Sequence, residues 1–136
     1  MAKFGEERFK YNVMYLATIG PDSYPRVHPF TPFIGSGRIF AFMESTSPKG
    51  KDLRGNGRYA MHSLVKDMNG TNGEFLITGD AILLSDSASR TAAVVSCPYT
   101  PQERYILFEF LITSCFTNGY VNGKPNVRHW KEQTKS

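Results

Sequence analysis

Along most of the chain, apolar and polar positions alternate with the two-residue period of β-strands. The segment YNVMYLATIG (11–20) is rich in β-branched and aromatic residues and runs into the turn signal GPDS, which predicts a first strand. YPRVHPFTPFIG (24–35) predicts a second. Its prolines, Pro25, Pro29 and Pro32, have no N–H to give to a ladder, so this strand belongs at an edge or is bulged or bent. Ser36 and Gly37 make a tight turn into RIFAFME (38–44), a third strand and the natural hairpin partner of the second.

The period then changes. In SPKGKDLRGNG (47–57), Ser47 is placed to cap a helix, Pro48 suits its first turn and glycines close it, giving a helix of two or three turns. RYAMHSLV (58–65) predicts a fourth strand, KDMNGTNG (66–73) a polar hairpin loop, and EFLITGDAILLS (74–85) a fifth strand with a bulge or bend at Gly79. Ser85 or Asp86 caps a second helix, 86–96, whose small residues let it lie close against a sheet. The run 104–120 predicts a long sixth strand. Phe108, Phe110, Ile112 and Ser114 share one of its faces, and Leu107, Glu109, Leu111 and Thr113 share the other. KPNVRHW (124–130) supplies a seventh. Six or seven strands joined mostly by hairpin-length loops, with two short helices inserted, imply a mainly β fold: an antiparallel sheet that closes into a small barrel.

Composition narrows the class. A chain of 136 residues with 40% hydrophobic, 21% charged and 13% aromatic residues suits one packed domain covering 1–136. The net charge of +4 is mild and scattered, and only the tail 124–135 is locally basic. A nucleic-acid-binding barrel would need aromatics on one continuous face with basic residues interleaved, whereas most aromatics here fall where a core is required; no nucleic-acid partner is expected. The opening segment MAKFGEERFKYN is charged throughout, unlike a signal peptide, and no apolar stretch approaches the ~20 residues of a membrane span, so no membrane partner and a cytoplasmic location are expected. Cys97 and Cys115, 18 apart with no CxxC pair or histidine cluster, suggest neither a zinc site nor a redox motif, and free thiols are expected. No metal site is expected.

The candidate chemistry lies at the mouth of the first helix. Arg26, His28 and Phe30 stand two apart and leave one face of the second strand. The first-turn N–H groups of Lys49 and Gly50, aided by the helix dipole, can meet an anion, and Lys49 and Lys51 add ammonium groups beside the Ser47 hydroxyl. A dianionic phosphate monoester suits this set. The same stretch would also serve as an ordinary capped surface helix, and His28, His62 and His129, taken singly, as ordinary histidines.

The order of these elements, from YLATIGPDSYPRVHPF through RIFAFMESTSPKGKDLRGNGRYAMHSL to GEFLITGDAILL, resembles the pyridoxamine 5'-phosphate oxidase-related, FMN-binding split-barrel family over nearly the whole chain. The resemblance implies a split barrel. It implies flavin and phosphate contacts from Arg26, His28, Pro29 and Phe30, phosphate binding by Ser47 and Lys49, and a flavin ring bordered by the backbone of Phe42 and Met43. Lys51 and Trp130 are carried as further cofactor-binding candidates. LRGNGRYAMH resembles the family's leucine, Asn-Pro-Arg and apolar strand, with Gly57 in place of proline. The family's vitamin B6 oxidases usually have arginine at the positions of His28 and Pro48, and the C-terminal VRHWKEQTKS, with Arg128, His129 and Trp130, does not match their substrate-gripping segment, so the resemblance does not extend to pyridoxamine phosphate as substrate. What it implies is an FMN-dependent oxidoreductase for a small substrate, a homodimer with the flavin at the subunit interface, and no assigned catalytic residue, because the flavin itself exchanges hydride. The alternative is a non-catalytic module of the same fold that binds or stores flavin, deazaflavin or haem, a histidine serving as axial ligand in the last case.

Overall fold

The computed structural model describes residues 13–64 and 73–132. The expected loop 66–73 lies almost entirely outside the described residues, as do the first twelve residues. Eight strands and two helices follow one another: β1 (Met14–Ile19), β2 (Pro25–Phe30), β3 (Phe33–Gly35), β4 (Arg38–Met43), α1 (Pro48–Gly55), β5 (Arg58–Ser63), β6 (Glu74–Leu84), α2 (Ser87–Ser96), β7 (Ile106–Val121) and β8 (Lys124–Lys131). The expected second strand is two strands, because the chain leaves the ladder at Thr31 and the buried Pro32 before re-entering it as β3.

All pairings are antiparallel, in the order β2-β1-β5-β6-β7-β4-β3, with β8 added to β7. Both proline-bearing strands therefore sit at edges, as their missing N–H groups require. The 16-residue β7 organises the rest: its first turn of residues, Ile106 to Glu109, pairs with β4, its second half pairs with β8, and β6 runs along its other side. β2 and β3 end the ladder without bonding to each other, which leaves a split in an otherwise closed barrel. Across that interior Phe30 meets Phe110 edge-on, with ring centroids 5.7 Å apart.

The main core fills the barrel with the inward residues of each strand, Leu16, Met61, Ile77 and Phe108 among them. β4 is buried on both faces. Ile39, Ala41 and Met43 enter the barrel, while Phe40 and Phe42 pack outward with Phe33 and Leu107 beneath Ala93 of α2. The small residues of α2 permit this close seat, and Asp86 caps it by accepting the Ser89 N–H at 2.9 Å.

The expected alternation along 104–120 fails at one residue. Thr78 pairs with Ser114 and Gly79 with Ile112, so Thr113 is an extra residue and the bulge lies on β7 opposite Gly79. Phe108 and Phe110 face inward before it, and Cys115 and Thr117 are the buried residues after it. Gly79 answers to this geometry: a Cβ there would overlap the carbonyl oxygen of Leu111. Both thiols are free, Cys115 buried and Cys97 half-buried. Among the described residues, no helix is long and apolar enough to cross a membrane.

Candidate functional site

β1, β2 and α1 build one polar junction. On β1 the inward parity that buries Met14 and Leu16 also buries Thr18, whose partner across the ladder is Arg26. Helix α1 lies over this spot and turns Gly50, Asp52 and Leu53 toward the barrel. Asp52 is thus a carboxylate with a side chain only 1% exposed, a placement that is strongly unfavourable unless its oxygens are satisfied. They are. Thr18 Oγ1 donates to Oδ2 at 2.7 Å, Arg26 Nε donates to the same oxygen at 2.9 Å, and Arg26 Nη2 donates to Oδ1. The Arg26 guanidinium, followed by the Thr18 hydroxyl, holds the Asp52 carboxyl below the usual carboxylate range. His28 Nε2 is 2.9 Å from Thr18 Oγ1 and 3.8 Å from Asp52 Oδ2. Burial pulls its proton affinity down, Asp52 opposes this, and Lys49 and Arg26 push it further down, so the imidazole is neutral at pH 7.

The expected site residues do not all come together. Arg26, His28 and Lys49 come together here, with Lys51 on the same helix. Ser47 is the N-cap, but its hydroxyl is committed: it donates to the Glu44 carbonyl at 2.8 Å and accepts the Gly50 N–H at 3.1 Å. The Gly50 amide is therefore not open to an anion, because the cap already holds it. Phe30, Phe42 and Met43 are core residues, Phe42 lying under the Arg90 guanidinium at 5.1 Å, so only their backbone can border a ligand. Pro29 is exposed on the edge strand opposite Tyr15. Trp130 stands on β8 opposite Cys115, with β5, β6 and β7 between its strand and β1.

Thr18 and Asp52 complete the junction without having been singled out from sequence. A signal existed for Thr18, a polar residue at the inward parity of β1; Asp52 gave only its place between Lys49 and the apolar Leu53. A cleft of about 380 Å³ adjoins the junction beneath the β1–β2 turn. It is lined by Gly20, Pro21 and Ser23 of that turn together with Arg26, Lys51, Asp52 and Asn56. Ser47, Lys49 and His28 are not in its lining, and the Arg26–Asp52 pair links the cleft to them. Among the described residues, no three His, Cys, Asp or Glu side chains converge on a metal-holding point.

No family model and no curated protein matches the chain in sequence. Solved structures match it in fold. A heme binding protein from Mycobacterium smegmatis superposes with a TM-score of 0.71 at 15% identity over 93% of this chain, which spans only 57% of that longer protein. A NimC/NimA family protein from Clostridium acetobutylicum gives 0.71 at 19% identity, with 94% and 92% of the two chains covered. A protein of the pyridoxinephosphate oxidase family from the same organism, related to general stress protein 26, gives 0.67 at 15% identity over 96% and 92%. The chain has the split-barrel fold of the pyridoxamine 5'-phosphate oxidase-related proteins. At these identities the likeness is one of fold.

Proposed function

We propose that the chain is an FMN-binding flavoprotein of the pyridoxamine 5'-phosphate oxidase-related family, an oxidoreductase acting on a small molecule. The observation that carries this reading is the meeting of β2 and α1, where Arg26, Lys49 and Lys51 stand near the buried carboxylate of Asp52, with Asp22 of the β1–β2 turn also close to Arg26. Three cations against two carboxylates, beside a neutral histidine, leave a small positive surplus that favours a phosphate group. That is the fit asked of a phosphate-bearing cofactor, and the cleft lies at the small end of ligand-site volumes. Bound flavin would supply the hydride chemistry. The chain's own residues would hold its phosphate through Lys49 and Lys51, keep Arg26 in place through Asp52, and border the ring with the backbone of β4. The exposed Val27 of edge strand β2 and Tyr24 just before it, and a β8 exposed along its whole length, support a homodimer in which Trp130 reaches the site from a second copy.

The test is the absorption spectrum of the purified protein with and without added FMN. A yellow protein is expected, with FMN affinity falling about tenfold or more in Lys49→Ala, the loss of one charge-assisted contact. A colourless protein that takes up no added FMN overturns the reading. The heme binding protein of the same fold favours one other reading, a haem-binding module. His28 has Nε2 bonded to Thr18 and His62 has Nδ1 against the Ser63 carbonyl at 2.6 Å, whereas the exposed His129, its ring 4.9 Å from Phe116, has neither ring nitrogen bonded among the described residues, so it is the ligand to test first. A Soret band on haemin titration, lost in His129→Ala, would establish that reading in place of flavin.

A further inference from the structure

Counting protons across the junction fixes a property of His28 that distances alone do not. Asp52, held ionised by Arg26, can only accept. The 2.7 Å contact from Thr18 Oγ1 to Asp52 Oδ2 therefore takes the one hydroxyl proton of Thr18. The same hydroxyl oxygen lies 2.9 Å from His28 Nε2 and has no second proton to give, so there it accepts and Nε2 carries the hydrogen. In a neutral ring, Nδ1 is then a bare lone pair. It has no partner among the described residues. Nor is it among the buried polar atoms without one, which are Ser63 Oγ and Asn118 Oδ1, so it is open to solvent. The charged groups facing the ring are Asp52 and Lys49 from α1 and Arg26 from β2; β1 contributes only the neutral Thr18.

We propose that Thr18 and Asp52 are positioning residues that set His28 as a hydrogen-bond acceptor at the mouth of α1. The site then takes a phosphate ester that gives a hydroxyl or an imide N–H to Nδ1 while Lys49 meets the phosphate. This rests on the reading of the α1–β2 mouth as a phosphate-ester site. It changes the part His28 plays: at neutral pH the residue does not donate to phosphate oxygen but selects the organic portion of the ligand. Sulfate, which has no proton to give and would set only oxygens against a lone pair, is disfavoured. Protonation reverses the preference, because imidazolium offers Nδ1–H to an anion and no longer accepts. With a proton affinity below the ordinary histidine value, His28 stays an acceptor through pH 7 to 8 and switches only at more acid pH.

The experiment is nitrogen-15 NMR of the histidine rings in the full chain at pH 7.5, followed by titration with ribose 5-phosphate, sulfate and FMN. His28 is expected with Nε2 protonated and Nδ1 bare. Thr18→Val is expected to release the ring into a tautomer mixture, and Thr18→Ser to restore it. Ribose 5-phosphate is expected to shift Nδ1 and to bind about tenfold tighter than sulfate, the worth of one hydrogen bond, with the preference lost in His28→Phe. A proton on Nδ1 in the wild type, an unchanged tautomer in Thr18→Val, or a preference that survives His28→Phe overturns the proposal. If FMN binds and Nδ1 does not move, this inference fails while the flavin reading stands. If ribose 5-phosphate moves Nδ1 and FMN does not bind, the flavin reading fails and this one stands.

Discussion

Thr18→Val is the most informative single change, because it removes one hydroxyl from a fully enclosed position and nearly conserves volume. In the wild type that oxygen gives its proton to Asp52 at 2.7 Å and accepts from His28 at 2.9 Å. A hydrogen bond to a charged partner contributes about 1.5–3 kcal/mol. The imidazole, 16% exposed, recovers part of its loss from water, and the added methyl gains some burial. The balance is a loss of about 2–3 kcal/mol, or a melting temperature lowered by roughly 6–12 °C for a chain of this size. Its pH dependence has a definite sign. Asp52 has its carboxyl depressed in the folded state, so its contribution is present above the unfolded value near 4 and lost as pH falls through the folded value. Without Thr18 the folded value rises, so the variant loses this contribution at a higher pH than the wild type, and the two curves converge once both carboxyls are protonated. Melting scans by circular dichroism from pH 8 down to the acid limb read both effects. A variant within 1 °C of the wild type at pH 7, or a gap that stays constant through the acid limb, would refute the bridged junction.

Other substitutions probe the frame around it. Gly79→Ala drives a methyl into the Leu111 carbonyl, a clash with backbone at a bulge, and is expected to cost more than about 3 kcal/mol or abolish folding, as denaturant melts would show. Ser47→Ala removes the cap of α1 and is expected to cost about 1 kcal/mol while leaving the His28 tautomer unchanged by NMR. Tyr99, about a third exposed beside Cys97, has its phenol pushed up to about 12 chiefly by desolvation, so difference spectra should show it still un-ionised at pH 10.5. In a thiol-reagent assay on the native protein, Cys97 is expected to react well before Cys115, which needs unfolding.

The strands were legible because their alternation is local. Two features of the barrel were not, since each is a relation between strands. The bulge belongs to β7 at Thr113, whereas the sequence marks it at Gly79, the residue that must stay small where β7 crowds it. One extra residue reverses every later side chain, so Cys115 faces inward where uninterrupted alternation would have turned Ser114 there. Likewise the break at Pro32 could be read as a bend or an edge; that it separates two strands at opposite ends of the ladder depends on β1 and β4 finding different neighbours. Trp130 was out of reach of any local pattern, because its place beside β7 is a pairing between strands.

The site was half legible, and the missing half alters the rest. The two-residue spacing of Arg26 and His28 placed them on one face, and the capping signal placed Lys49 beside them. What the spacing could not reveal is that a buried carboxylate sits beneath them. Asp52 takes both donating edges of Arg26 that it can reach, so that arginine is in large part a counter-ion for the fold. Among the described residues, Lys49 and Lys51 have no carboxylate partner, so the positive potential a ligand meets comes from lysines, and geometric selection comes from whatever fixes its hydrogen bonds. An ammonium group attracts any phosphate and distinguishes none. Discrimination must then lie in the one nearby group whose donor or acceptor character is set by the protein, and that group is His28, made an acceptor through Thr18 by the buried carboxylate of Asp52.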